Sequence, residues 1–229
     1  MAELPIRTSK EGKQMITKYF ITDVDGVILD RMPIYRLAFA EVLRPFGIPA
    51  ESLKSYYYNS LGTPAELQMR GVLEENSISI DDQALKKLVE EFQGIGERHE
   101  IKIFSGVKET LQKIKEAGLF LMASSGSNTD ELNKIFAKNG LPYDFVLGSD
   151  KILKSDKHIE IFAEHFSVAK DEFCRQALFV GDGTTDMQIA SRNGIVGIGV
   201  ANTLPKEKLL TAGAKAVISN ISEVFDHLP

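Results

Sequence analysis

Tyr19-Phe20-Ile21-Thr22-Asp23-Val24-Asp25-Gly26-Val27 is the stretch on which the reading of this chain turns. A compact run of aromatic and β-branched residues leads straight into two carboxylates, one residue apart, and a glycine. Such a run reads as a strand buried on both faces. The carboxylates then stand where that strand ends.

Working outward, runs of the same kind return at Leu119–Ala123, Phe145–Leu147, Ala177–Val180, Ile195–Val200 and Ala216–Ile218. Amphipathic stretches separate them. Gly106–Ala117 gathers Val107, Leu111 and Ile114 on one face and stops at Gly118. Asn128–Lys138 gathers Leu132, Ile135 and Phe136, and Lys157–Phe166 gathers Ile159, Phe162 and Phe166. On this spacing His158 and His165 fall on the polar, exposed side of the last stretch. The alternation predicts an α/β fold, a doubly wound, Rossmann-like parallel sheet with helices on both faces.

Residues from about Met32 to Phe104 break the alternation. They read as helices over Ile34–Phe46, Glu51–Ser60, Pro64–Glu75 and Asp81–His99, punctuated by Pro49, Gly62-Thr63-Pro64 and Asn76. One crossover needs only about a dozen residues, so this is too much chain for a connection. The expected division is a core of 1–30 and 104–229 with an inserted α-helical cap of 31–103. Within the insert, Tyr56-Tyr57-Tyr58 reads as helix packing, with a pocket wall as the other reading. Arg31 and Arg70 read as surface arginines that could also meet a substrate.

The 229 residues carry 43% hydrophobic content, enough for a sizeable core, and a net charge of −5. No basic run suited to a phosphate backbone occurs, so a nucleic acid polymer is not an expected partner. No stretch approaches the roughly 18 apolar residues of a membrane span. The polar opening MAELPIRTSKEGKQMITK lacks the apolar centre of a signal peptide, and residues 1–15 read as a tail or an extra element. The single cysteine, Cys174, allows no disulfide within the chain. A cytoplasmic protein is expected.

In a doubly wound sheet, ligands bind beyond the carboxyl ends of the strands. There the sequence places Asp23 and Asp25, Ser124 and Ser125, Ser149, Asp150 and Lys154, and Asp182 and Asp186. Crowded carboxylates need a cation, and an oxygen-only set without His or Cys suits a hard ion such as magnesium. Lysine and serine suit the oxygens of a phosphoryl group. A free carboxylate facing phosphorus is a nucleophile, and a second one two residues on can move a proton. Asp30 and Asp150 read as solvated or capping residues.

Here the chain resembles the haloacid-dehalogenase-like (HAD) hydrolases. Asp23-Val24-Asp25-Gly26-Val27 is similar to their first signature, and Ser124, closing an apolar strand, to the second. Lys154, ahead of a helix, is similar to the third, and Gly181-Asp182-Gly183-Thr184-Thr185-Asp186 to the fourth. Lys157 competes with Lys154. Lys154 is preferred because its distance to Ile159 resembles that in sugar-phosphate members. The insert between the first two signatures resembles the subfamily of phosphoglycolate phosphatase, β-phosphoglucomutase and the 2-haloacid dehalogenases, with Asp25 speaking against a dehalogenase.

The resemblance implies a Mg2+-dependent phosphatase for a small phosphorylated metabolite, acting through an aspartyl phosphate. Asp23 is implied as nucleophile and Asp25 as acid and base. Ser124, Ser125 and Lys154 would hold the phosphoryl group. Asp23, Asp25 (through its backbone carbonyl), Asp182 and Asp186 would hold the metal. A phosphomutase acting on a sugar phosphate and a non-catalytic binding protein on the same fold are the alternatives.

Overall fold

The computed structural model describes residues 17–227. Its centre is a six-stranded sheet of parallel strands in the order β3-β2-β1-β4-β5-β6. The strands are β1 (Tyr19–Thr22), β2 (Phe120–Ser124), β3 (Phe145–Leu147), β4 (Ala177–Gly181), β5 (Val196–Val200) and β6 (Ala216–Ile218). Each coincides with an apolar run, because a strand covered on both faces gives little of its length to water; Phe120, at the start of β2, is the exposed residue.

Alternation along the strands feeds two cores. Phe20, Leu121, Ala123, Leu178 and Val180 face one side, where α5 (Val107–Glu116) and α6 (Thr129–Asn139) pack. Tyr19, Ile21, Met122, Ala177 and Phe179 face the other, against α7 (Asp156–His165), α8 (Lys170–Arg175) and α9 (Thr184–Arg192). Phe20, Phe162, Phe173 and Phe179 are fully buried, each worth about 1.5–3 kcal/mol of transfer free energy. Two of these helices, α6 and α7, start on a side-chain oxygen acceptor. Asn128 Oδ1 accepts from the N–H groups of Asp130 and Glu131, and Ser155 Oγ accepts from that of Lys157.

Between β1 and α5 lie α1 (Met32–Leu43), α2 (Ala50–Asn59), α3 (Ala65–Glu75) and α4 (Asp82–Glu97). They share a third core built around Phe39, Leu43, Met69, Leu73 and Leu85, and Met187 of α9 joins it from the sheet side. The chain enters and leaves these helices through adjacent segments. Leu29 bridges Ile103 antiparallel, the Asp30 N–H donates to Lys102 O, and the Phe104 N–H donates to Ile28 O. No helix among the described residues is long and apolar enough to cross a membrane. Residues 1–15 lie outside the described residues, except as sequence.

Two expectations of exposure fail, for Arg31, which is buried at the start of α1, and for His158. His158 is fully buried, whereas His165 is exposed as read. The first turn of α7 leans on the end of β2, and the ring fills that corner. Its Nε2 donates to Ile152 O at 2.9 Å, so the neutral ring leaves Nδ1 to accept from Ser124 Oγ at 2.9 Å. Burial lowers the His158 pKa to about 4, with Lys154 adding to the effect and the Ile152 bond opposing it.

An unfolded histidine titrates near 6.5, so folding here favours the neutral ring. The resulting stability is present above pH ~6.5 and is lost as pH falls from there toward 4, in all about 3 kcal/mol. Replacing His158 by Asn should therefore flatten the acid limb. Between about pH 7 and pH 4.5 the natural chain should lose several degrees more of Tm than the variant. Parallel acid limbs in thermal melts would show that the ring is not held neutral.

Candidate active site

The ends of β1 and β4 lie side by side, in register from Tyr19–Ala177 to Thr22–Val180. That adjacency brings Asp23 and Asp182 together. It is also the switch point of the sheet, since β2 lies on one side of β1 and β4 on the other. Asp186, in the first turn of α9, comes back to the same place. Oxygens of Asp23, Asp182 and Asp186 lie within 4.8 Å of one another, and all three residues are buried.

Two glycines make this approach possible. Gly26 has a left-handed backbone (φ 81°), and a methyl group there would overlap the Asp182 carboxylate. A methyl group on Gly181 would overlap the Asp186 side chain.

Lys154 reaches into the cluster from the loop before α7. Its Nζ stands 3.0 Å from Asp23 Oδ1 and 2.5 Å from Asp186 Oδ1. The other lysine weighed from the sequence, Lys157, is exposed and pairs with Glu160 at 2.6 Å. Asp186 Oδ2 also accepts the Gly183 N–H at 3.0 Å, and Asp182 accepts a short hydrogen bond from the Thr203 hydroxyl.

Three carboxylates with one ammonium leave an excess of negative charge in a place with little water. Burial pushes the Asp23 pKa well up; Lys154 pulls it down, and Asp186, Asp182 and Asp25 add to the rise. Asp182 is pushed up to about 7 by burial and by Asp186, against the Thr203 hydroxyl and Lys154. Burial alone would favour a neutral Lys154, but Asp186 and Asp23 override it and its pKa is raised. The cluster is thus a set of hard oxygen donors short of positive charge, which fits a magnesium ion.

Asp25 faces elsewhere. Both its oxygens meet Arg31, at 2.5 Å from Nε and 3.0 Å from a terminal nitrogen, and Ser127 Oγ donates to one of them at 2.9 Å. Arg31 is itself buried, reaches Glu131 at 2.6 Å and lies under the Tyr35 ring, 5.0 Å from its centroid. Burial works against its charge; Asp25, Tyr35 and Glu131 more than offset that and raise its pKa. Arg70 is the ordinary surface arginine, paired with Asp82 and Glu66.

Ser124 and Ser125 are fully buried at the end of β2, next to Asp23 in the β1–β2 register. The Ser124 hydroxyl donates a hydrogen bond to His158 Nδ1, and Ser125 Oγ accepts the Ser127 N–H at 3.0 Å. Asp150 accepts from both the N–H and the hydroxyl of Thr129, tying the β3 loop to the start of α6.

Sequence reasoning missed Arg31 as partner of Asp25, along with Ser127, Glu131, Thr203 and Asn202, whose side-chain N–H donates to Gly26 O at 2.8 Å. Asn202 and Thr203 follow β5, so inspecting a fifth strand end would have found them. The carboxylates open on a cavity of about 830 Å3 roofed by the inserted helices, whose wall includes Tyr57, Leu61 and Phe92.

The sequence pattern of the haloacid dehalogenase-like hydrolases matches residues 20–200. The phosphoglycolate phosphatase of Pseudomonas syringae pv. syringae is 25% identical over 188 residues, 79% of this chain and 68% of its own length. The phosphoglycolate phosphatase of Vibrio parahaemolyticus is 25% identical over 199 residues, 82% of this chain and 85% of its own. The crystal structure of a hydrolase from Pseudomonas syringae superposes with a TM-score of 0.76 at 22% identity, covering 93% of this chain and 98% of that one, a likeness of fold. The matched segment holds the whole carboxylate cluster and Lys154, and with it the chain belongs to the haloacid dehalogenase-like hydrolase family.

Proposed function

We propose that the chain is a phosphatase that hydrolyses small phosphate monoesters in two steps through a phosphorylated Asp23. The observation that carries this is the Lys154–Asp23 contact at 3.0 Å, set inside a buried trio of carboxylates beneath a cavity. It gives a carboxylate oriented by a cation at the switch point of the sheet, with room above it for a phosphate ester.

Asp23, Asp182 and Asp186 would hold magnesium, with Asp25 sharing through its backbone carbonyl, since its carboxylate is turned to Arg31. Magnesium, when bound, supplies the positive charge that lets these carboxylates ionise together and draws charge from the phosphoryl oxygens. Thr203 keeps Asp182 oriented, and Gly183 keeps Asp186 oriented.

In the first step an Asp23 oxygen bonds to phosphorus, the bond from phosphorus to the leaving oxygen breaks, and Asp25 gives that oxygen a proton. In the second, Asp25 takes a proton from water, the water oxygen bonds to phosphorus, and the bond to Asp23 breaks. Phosphate leaves, Asp23 is again a carboxylate, and Asp25 again carries the proton with which it began. Both Asp25 oxygens are engaged in the structure, so each proton transfer requires one of them to come off Arg31. Lys154 faces the charge that gathers on the phosphoryl oxygens. Ser124 and Ser125 border the same place, and Ser124 donates to a phosphoryl oxygen when its hydroxyl turns from His158. Helices α1–α4 form a cap that limits bulk water and contacts the leaving group.

Phosphate release from an aryl phosphate should require magnesium and should vanish in Asp23→Asn, by a factor of about 10³ or more if covalent attack is lost. Release that survives in Asp23→Asn would sink the nucleophile assignment. Magnesium should also raise the Tm of the natural chain by several degrees. The rise should disappear in Asp182→Asn, and a variant with an unchanged magnesium response would place the ion elsewhere.

A further inference from the structure

The cavity above the carboxylates carries two features that the phosphoryl chemistry does not use. The first is its charge. Among the lining residues the cations are Arg31 and Lys134. Arg31 is already matched by two carboxylates, Asp25 and Glu131, at 2.5 and 2.6 Å. Lys134 is exposed. Around them the wall carries Glu66, Asp130, Glu131 and Asp150. A leaving group with its own carboxylate or second phosphate would meet this acidic surround with no buried, uncommitted cation among the lining residues. Bringing such an anion out of water without a partner is unfavourable.

The second feature is Tyr57 of α2. The residue is 4% exposed and lines the cavity. Among the described residues, its hydroxyl meets the Met32 sulfur at 3.9 Å, and a thioether is a weak acceptor. A buried phenol with so poor a partner has hydrogen-bonding capacity to spare. Burial raises its pKa well above the usual value, and Asp25, Tyr35 and Asp182 add to the rise. Elsewhere on the wall of the same cavity Tyr35, Leu61, Val89, Phe92 and Ile135 supply flat and apolar surface. The volume, about 830 Å3, is that of a site for a ligand much larger than a two-carbon acid.

We propose that the leaving group is an uncharged alcohol or phenol with a flat, largely apolar face and a polar group that hydrogen-bonds the Tyr57 hydroxyl. Tyr57 is thus a specificity residue, and substrates with a second anion are disfavoured. The proposal deepens the phosphatase reading and rests on it. Phosphoglycolate, the substrate in the names of two relatives, falls on the disfavoured side.

Two esters of equal shape isolate the charge: 4-carbamoylphenyl phosphate, which is uncharged beyond its phosphate, and 4-carboxyphenyl phosphate. Calorimetric titration into the full Asp23→Asn chain with magnesium reads binding without turnover. The carbamoyl ester should bind at least about tenfold tighter than the carboxyl ester and than phosphoglycolate, a gap of about 1.4 kcal/mol or more. Adding Tyr57→Phe should shrink the carbamoyl lead about threefold or more at unchanged Tm, since the hydroxyl has little to hold in the fold. Tighter binding of either carboxylate, equal binding, or a lead untouched by Tyr57→Phe overturns the proposal. Phosphate release by the natural chain, measured beside it, keeps the two readings apart. Release with the wrong preference rejects only the leaving-group class, and the right preference without release rejects only the phosphatase.

Discussion

Crowding of like charge at the end of the sheet is the constraint from which the rest follows. Asp23, Asp182 and Asp186 offer oxygens within 4.8 Å of one another, in a largely buried place at the floor of the cavity, with Lys154 as the cation among them. Left alone, such a group relieves itself by taking up protons, which is the direction in which Asp23 and Asp182 are pushed. The fold holds the group together all the same. Two parallel strands end side by side, Gly26 and Gly181 clear the space, and Thr203 and Gly183 each fix one carboxylate. The contacts are closest where the charge is least comfortable, and this arrangement is what makes a divalent cation a natural complement to it.

The second carboxylate of the first signature escapes this crowding by a separate device. Asp25 is only two residues from Asp23, yet its side chain belongs to a different electrostatic neighbourhood, made by Arg31, Ser127 and Glu131. One aspartate is set against a lysine and other carboxylates, the other against a guanidinium in bidentate contact. Two groups of the same chemical type are thereby given different surroundings. Arg31 sits at the start of α1, so the partner of Asp25 is contributed by the first residues leading into the inserted helices.

Much of this was legible in the sequence, for reasons that can be traced. Strands buried on both faces are short and uniformly apolar, so Tyr19–Thr22 and Ala177–Val180 announce themselves, and the residues after them fall where ligands bind. What stayed hidden depends on contacts between distant segments. Nothing around Arg31 says that it is buried, because the carboxylate that meets its far nitrogen, Glu131, is 100 residues away. His158 occupies a polar position in its own helix, and only the end of β2 packed against that turn makes it an interior residue. The three consecutive tyrosines of α2 carry no helical phase by themselves. Their fates separate, with Tyr57 buried and its neighbours half-buried, once α1 lies beside them.

The paired segments through which the chain enters and leaves the inserted helices have a consequence for how such a protein can change over time. Leu29 and Ile103 are 74 residues apart in sequence yet bonded neighbours in space. Whatever lies between them begins and ends at one spot on the sheet, so lengthening, replacing or remodelling it does not require the strand order or the carboxylate cluster to move. The inserted helices and the carboxylate cluster are in this sense separately heritable. Arg31 and Glu131 span the seam between them, so any graft made there has to bring its own answer to the charge of Asp25.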